Sequence, residues 1–191
     1  LSYIPTEYFN GTFYGNGHKI KRLYSSQTSA NAMFKITSEA ASVSGITLVC
    51  PEHFFSVANE NNGTITDCLN TSYTKDKPLY KFSGYKGAIA DINNGTIQNC
   101  GNSSFISIRD GDIASGGICG LNNGTVMNCF NLENGLNSKC FAIAGKNNGI
   151  LKACYSASSA KITDKNAEDC YSTSIEEIPI PVAFQRVITT Q

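Results

Sequence analysis

Three stretches of this sequence carry side chains able to do chemistry. The first is Cys50-Pro51-Glu52-His53, which sets a thiol and an imidazole close together. Such a pair could hold a soft metal or activate a sulfur nucleophile. Metal sites need Cys-x-x-Cys or His-x-x-x-His spacing, and the chain has neither. A reactive thiol needs an electropositive, partly exposed setting, and nothing around Cys50 supplies one. His18 is the other histidine, far away in sequence, and both read as turn residues. The second stretch is Asp110-Gly111-Asp112 beside Arg109. Cleaving glycans needs clustered carboxylates, or an Arg or Lys base with calcium-binding aspartates. One acidic pair across a glycine is common in turns. No catalytic residue, metal site or cofactor is expected.

The third stretch, Thr71 to Lys86, is the best binding candidate. Tyr73, Tyr80, Phe82 and Tyr85 alternate with Lys75, Lys77, Lys81 and Lys86, against Asp76 alone. A loop longer than ~12 residues in a compact domain is often functional. Aromatic faces beside cations suit sugars or acidic protein surfaces. Alternatively, the rings fold back over an underlying sheet and the lysines stay wet. A further candidate is the residue after each of three cysteines, Phe130, Tyr155 and Tyr171, which would stack outward if those cysteines face inward.

The element that must position these residues is a phrase written four times. Asn61-Asn62-Gly63-Thr64-Ile65-Thr66-Asp67-Cys68 returns at Asn93 to Cys100, Asn122 to Cys129 and Asn147 to Cys154. Self-similarity at a period of roughly 20–50 residues marks a repeat architecture. Within each phrase an apolar residue stands three before the cysteine: Ile65, Ile97, Val126 and Leu151. Ile20 with Leu23 and Val43 with Ile46 extend the series backward, and Ala167 with Cys170 extends it weakly forward. A straight strand alternates sides, so both members face inward only if the chain bends between them. A coil of about 22 residues then makes one turn of a three-sided β-solenoid with strands of ~5 residues. Longer intervals throw out loops, and the short final one suggests a capping coil. Segments this rich in Gly, Asn, Thr and Ser lack a helical period.

Stacking assigns roles to the repeated residues. Asn61, Asn93, Asn122 and Asn147 would pile at one corner and hydrogen-bond along the pile. The glycine after each pair would supply a positive φ. Cys68, Cys100, Cys129 and Cys154 would form a column of buried thiols, since strand spacing of ~4.8 Å is too wide for a disulfide. Cys50, Cys119, Cys140 and Cys170 are less constrained, and a disulfide among them stays open. Asp67 is not repeated as a carboxylate: Asn99, Asn128 and Ala153 take its place. Regular Thr-x-Thr rows of an ice-binding face are missing. The sequons at Asn10, Asn62, Asn70, Asn94, Asn102 and Asn123 read as by-products of turn chemistry.

Joined to Ser56-Val57-Ala58-Asn59, Ala88-Ile89-Ala90-Asp91, Gly117-Ile118-Cys119-Gly120 and Ala142-Ile143-Ala144-Gly145 upstream, the repeat resembles the GLUG motif of bacterial surface proteins. Gly116 to Val126 is the closest copy, and Phe13 to Ile20 looks like the coil that often precedes such repeats. The likeness covers roughly residues 9–173. Ser56, Ala88 and Ala142 replace the usual first glycine, and Asn59 and Asp91 the second. The resemblance implies a right-handed parallel β-helix of about six to seven coils over 1–173, with 174–191 as a cap or linker. It also implies a non-catalytic module of a secreted or wall-anchored protein, as in immunoglobulin A peptidases, that meets host or wall glycans or proteins. A carbohydrate-active β-helix is the alternative.

Composition limits the partners. Lys plus Arg and Asp plus Glu both number 15, so nothing draws the chain to nucleic acid. No apolar run approaches the ~20 residues of a membrane span. Beginning at Leu1 without a basic, apolar leader, the chain reads as a piece of a larger multidomain protein. The run His18-Lys19-Lys21-Arg22, split by Ile20, reads as a solvated strand face. Ile178-Pro179-Ile180-Pro181 cannot sit in a central strand, so the tail would cover the last coil's open edge or lead to another domain.

Overall fold

The computed structural model describes residues 5–23, 32–50, 56–71, 84–104, 112–133, 140–181 and 184–185. The chain winds in successive coils. β1 (Thr6–Phe9), β2 (Thr12–Tyr14) and β3 (Lys19–Lys21) make the first. β4 (Ala32–Thr37), β5 (Ser42–Ser44) and β6 (Thr47–Val49) lie on it, followed by β7 (Ser56–Asn61), β8 (Thr64–Thr66) and β9 (Leu69–Asn70). The next three coils carry a fourth strand each. They are β10 (Gly84–Gly87), β11 (Ala90–Asn93), β12 (Thr96–Gln98) and β13 (Gly101–Asn102); β14 (Asp112–Gly116), β15 (Cys119–Asn122), β16 (Thr125–Met127) and β17 (Phe130–Asn131); and β18 (Cys140–Phe141), β19 (Ala144–Asn147), β20 (Ile150–Lys152) and β21 (Tyr155–Ser156). β22 (Tyr171–Ser172) ends the series.

Like strands pair in parallel, giving three long sheets: β1-β4-β7-β11-β15-β19, β2-β5-β8-β12-β16-β20 and β22-β21-β17-β13-β9-β6-β3. The fold is a parallel β-helix, six strands deep on two faces and seven on the third. In the middle sheet Ile65, Ile97 and Val126 share one register column. Val43, Ile65, Ile97 and Val126 are wholly buried, as are Cys68, Cys100, Cys129 and Cys154 one corner later. The interior is therefore a set of apolar columns, and each buried Ile contributes about 1.5–3 kcal/mol by leaving water. Phe34 starts the column stack, with Phe9 against it at 4.5 Å between ring centres.

The bend between the two inward residues of each phrase has a physical cause. The residue just before the inward Leu, Ile or Cys is left-handed in every coil: Arg22, Gly45, Asp67, Asn99, Asn128, Ala153 and Asp169, with φ between 50° and 66°. Asn and Asp tolerate this region best among non-glycine residues, and Ala153 is held there by its place in the stack.

The glycine of Asn-Asn-Gly has another job than the one expected. Gly63, Gly95, Gly124 and Gly149 are not among the positive-φ residues. A Cβ on Gly95 would stand 2.0 Å from the Gly63 carbonyl oxygen, and one on Gly124 would stand 2.0 Å from the Gly95 oxygen. These positions demand glycine because successive coils touch there backbone to backbone.

β10, β14 and β18 form a small fourth sheet that rests on the outside of the first. A Cβ on Gly120 would come 2.4 Å from the Lys86 amide nitrogen, and one on Gly145 would come 2.7 Å from that of Ser115. Glycine in β15 and β19 thus admits the outer layer. In the two coils below, Asn59 and Asp91 occupy the same column.

The far end of the stack is closed by the segment after β21. Ala142 N–H donates to Lys161 O at 2.7 Å, Ile143 N–H to Ile162 O at 3.0 Å, and Ala153 N–H to Glu168 O at 2.9 Å. Among the described residues the tail does not cover the last coil's open edge. It passes a 3-10 turn at Ile175–Glu177 and lies on the flank of the third sheet, where Ile178 and Phe184 bury Leu69, Phe130 and Leu132. Among the described residues no helix is long and apolar enough to cross a membrane.

Candidate functional site

The asparagines of the repeat face inward and bond to each other. Asn61 Nδ2–H donates to Asn93 Oδ1, Asn93 to Asn122 and Asn122 to Asn147, each at 2.8 Å. Thr37 Oγ1–H starts the ladder on Asn61 at 2.8 Å, and Asn147 ends it on the Asn166 carbonyl at 2.7 Å. With 0–3% exposure these amides are closed to any ligand. A second inward amide column was not foreseen: Asn70 accepts from Ser104 Oγ, and Asn102 donates to Asn131, both at 2.8 Å. Its signal was present, as Asn70, Asn102 and Asn131 each stand two residues after a repeat cysteine.

All eight cysteines are thiols, and all are buried except the half-buried Cys170. Burial pushes the Cys119 thiol well up, and burial with the Cys100 and Cys154 contacts does the same to Cys129. Cys68 is raised by its contact with Cys100 and by burial. Such thiols are poor nucleophiles. Among the described residues there is no cluster of three or more His, Cys, Asp or Glu suited to a metal. His18 is exposed beside exposed Lys19, Lys21 and Arg22, so that run is a solvated face. His53 and Asp110 lie outside the described residues.

Of the insertion, Tyr73, Lys75, Lys77, Tyr80, Lys81 and Phe82 lie outside the described residues. Tyr85 and Lys86 stand on β10 and line an open cleft of about 390 Å³ with Lys35, Ile36, Asn59, Glu60, Asp91 and Ile92. The cleft is a step. Its floor is the outside of β4, β7 and β11, and its wall is β10, the terminal strand of the small sheet. Across the floor Ile36, Glu60 and Ile92 share one register column. At the foot of the wall Lys86 Nζ meets Asp91 Oδ2 at 2.5 Å. The same oxygen accepts from Asn59 Nδ2 at 3.0 Å, and Oδ1 accepts from the Gly87 amide at 3.3 Å. Burial lifts the Asp91 carboxyl above its ordinary value, and the Lys86 ammonium opposes the lift. Lys35 pairs with Glu7, and Glu60 Oε1 accepts from Asn94 at 3.1 Å. The cleft therefore offers an aromatic ring, two apolar side chains and fixed polar groups with no large net charge.

The outward aromatic row is corrected in part. Phe130 is 1% exposed and packs against Phe184 at 5.9 Å between ring centres. The position opposite it is Gly101, so its ring falls over the bare backbone and the tail closes above. Tyr155 is half-buried and Tyr171 is 54% exposed, with 6.2 Å between their rings. Phe130 is thus core, and no three-ring platform forms.

No family model, no curated protein and no solved structure matches the chain.

Proposed function

We propose that the chain is a non-catalytic β-helix module of a bacterial cell-surface or secreted protein, a stiff stem that offers a lateral cleft to a protein or glycan partner. One observation carries the reading. The repeated residues are consumed by stacking, while Tyr85 and the Lys86–Asp91 ion pair at the insertion's end converge with Ile36, Ile92 and Glu60 on one outer step. The GLUG-like phrase supports the surface-protein setting. Binding sites of this kind combine an apolar platform with a few fixed polar groups. The test is a glycan and host-protein array probed with the wild type and Tyr85→Ala. Loss of roughly tenfold or more in affinity, about 1.4 kcal/mol, is the expected result; undiminished binding by the variant removes the cleft from the account.

A carbohydrate-active enzyme draws on the same cleft, because Glu60 and Asp91 both line it. Burial shifts the Asp91 carboxyl upward, the direction a general acid needs. Both of its oxygens are already engaged, however, and Glu60 is held by Asn94. Those contacts favour positioning over proton transfer. Release of reducing sugar from a polysaccharide panel, abolished in Glu60→Gln, would reverse the preference.

A further inference from the structure

The three long faces of the stem are not treated alike. The first is overlain in part by β10, β14 and β18, and the third is covered around Leu69, Phe130 and Leu132 by the tail. Among the described residues the middle sheet, β2-β5-β8-β12-β16-β20, carries no such cover: none of its outward side chains is buried. Its strands pair residue for residue in every coil. One outward column is Thr12, Ser42, Thr64, Thr96 and Thr125, ending in Ile150. The other runs Tyr14, Ser44, Thr66, Gln98, Met127 and Lys152.

Beside the hydroxyl column runs an outer amide ladder. Asn94 Nδ2–H donates to Asn62 Oδ1 at 2.9 Å, Asn123 to Asn94 at 2.9 Å, and Asn148 to Asn123 at 3.0 Å. Unlike the inner ladder it is exposed from Asn94 onward. Each amide is locked in orientation by its neighbours. Each ladder carbonyl accepts one such bond and has a second lone pair. The threonine hydroxyls can both donate and accept. Across β5, β8 and β12 the face is thus a lattice of uncharged donors and acceptors repeating every ~4.8 Å, which Met127, Ile150 and Lys152 interrupt toward the far end.

We infer that this face binds a neutral polysaccharide laid along the stem. The partner must be uncharged, because the central columns of β5, β8 and β12 hold no ion to pair with a charged one. It must offer groups that both donate and accept, which hydroxyls do and amide backbones do less freely. It must repeat, because no single coil offers more than a few such groups. Nothing in this inference needs the cleft, which lies on another face.

The experiment is retention of the folded chain on insoluble microcrystalline cellulose, chitin and β-1,3-glucan, with soluble polygalacturonate as the charged comparison. Thr64→Lys/Thr96→Lys and, separately, Asn123→Leu are compared with the wild type after their unfolding midpoints have been matched. Retention on a neutral polymer that falls at least tenfold in both variants, and is unchanged in Lys165→Ala, an exposed residue of the closing segment, is the expected result. Retention on no neutral polymer, retention indifferent to both variants, or capture by polygalacturonate alone overturns the inference. Inhibition of ice recrystallisation without polymer retention also overturns it, by assigning the lattice to water.

Discussion

Asn61 gives its side-chain amide proton to Asn93 at 2.8 Å, and both residues are wholly buried. Asn93 Nδ2–H in turn donates to Asn122 Oδ1 at the same distance and to the Thr125 carbonyl at 3.1 Å. Replacing Asn93 with Leu strands at least two buried polar partners, each costing about 1–3 kcal/mol. A fall of roughly 3 kcal/mol in urea-unfolding stability is expected. Asn94→Ala, in the exposed ladder next to it, should stay within about 0.5 kcal/mol.

Gly95→Ala should be among the worst single substitutions in the chain. Its Cβ would meet a carbonyl oxygen 2.0 Å away, and that oxygen belongs to the backbone of the coil below. The loss should reach the ~3 kcal/mol upper end for overpacking. Gly84→Ala is the control: it has φ of 124° but nothing within 4 Å, so only backbone strain of about 1–3 kcal/mol applies. Thermal midpoints of the two variants give the order.

Native thiol titration should modify Cys170 first and leave Cys68, Cys100, Cys129 and Cys154 untouched until the chain unfolds. Rapid reaction of the four would contradict the buried column. The raised Cys119 thiol also has a pH consequence. Its folded pKa lies above the unfolded value of about 8.5, so its contribution is complete below that pH and is lost as pH rises beyond it. Stability should decline above about pH 8.5, and Cys119→Ala should flatten the decline.

Lys86 and Asp91 should respond unequally. Lys86→Met leaves a buried carboxylate without its cation and should destabilise by roughly 2–3 kcal/mol, somewhat less than a fully buried pair because Lys86 keeps some exposure. Asp91→Asn removes the charge that burial disfavours and should be closer to neutral. The double variant should recover most of the Lys86→Met loss, as a double-mutant cycle by urea unfolding will read.

Phe130→Ala should lower stability by about 3–5 kcal/mol as a buried aromatic. Phe184→Ala should uncover the same flank and raise binding of a hydrophobic dye while the β-rich circular dichroism is kept. A dye signal no higher than that of the wild type would mean that the tail does not shield the third sheet.

The column structure was readable because Ile65, Asn61 and Cys68 keep fixed offsets inside a phrase that recurs. What depended on another part of the chain was not readable. Phe130 looked outward by its offset from Cys129, yet Gly101 beside it and Phe184 far along the tail decide its burial. Asn-Asn-Gly is a strong turn signal, but the left-handed residue falls later, at Asp67, Asn99, Asn128 and even Ala153. Asp and Asn suit that conformation locally, and at Ala153 the constraint comes from the neighbouring coils. β10, β14 and β18 share no motif, so the small outer sheet and the step beside it left no trace in the pattern. The hydroxyl column escaped because its members come one per coil from separate strands, whereas a Thr-x-Thr search looks within one.

Backbone contact at Gly63, Gly95, Gly124 and Gly149 leaves no slack between coils, so the stem can change length only in whole turns. Excising residues 94–122 would join Asn93 to Asn123 and leave a shorter rod with every column still aligned, whereas removing a few residues from within a phrase would jam the winding. A chain of this design is free to add or drop complete units, and its length becomes a property set by copy number.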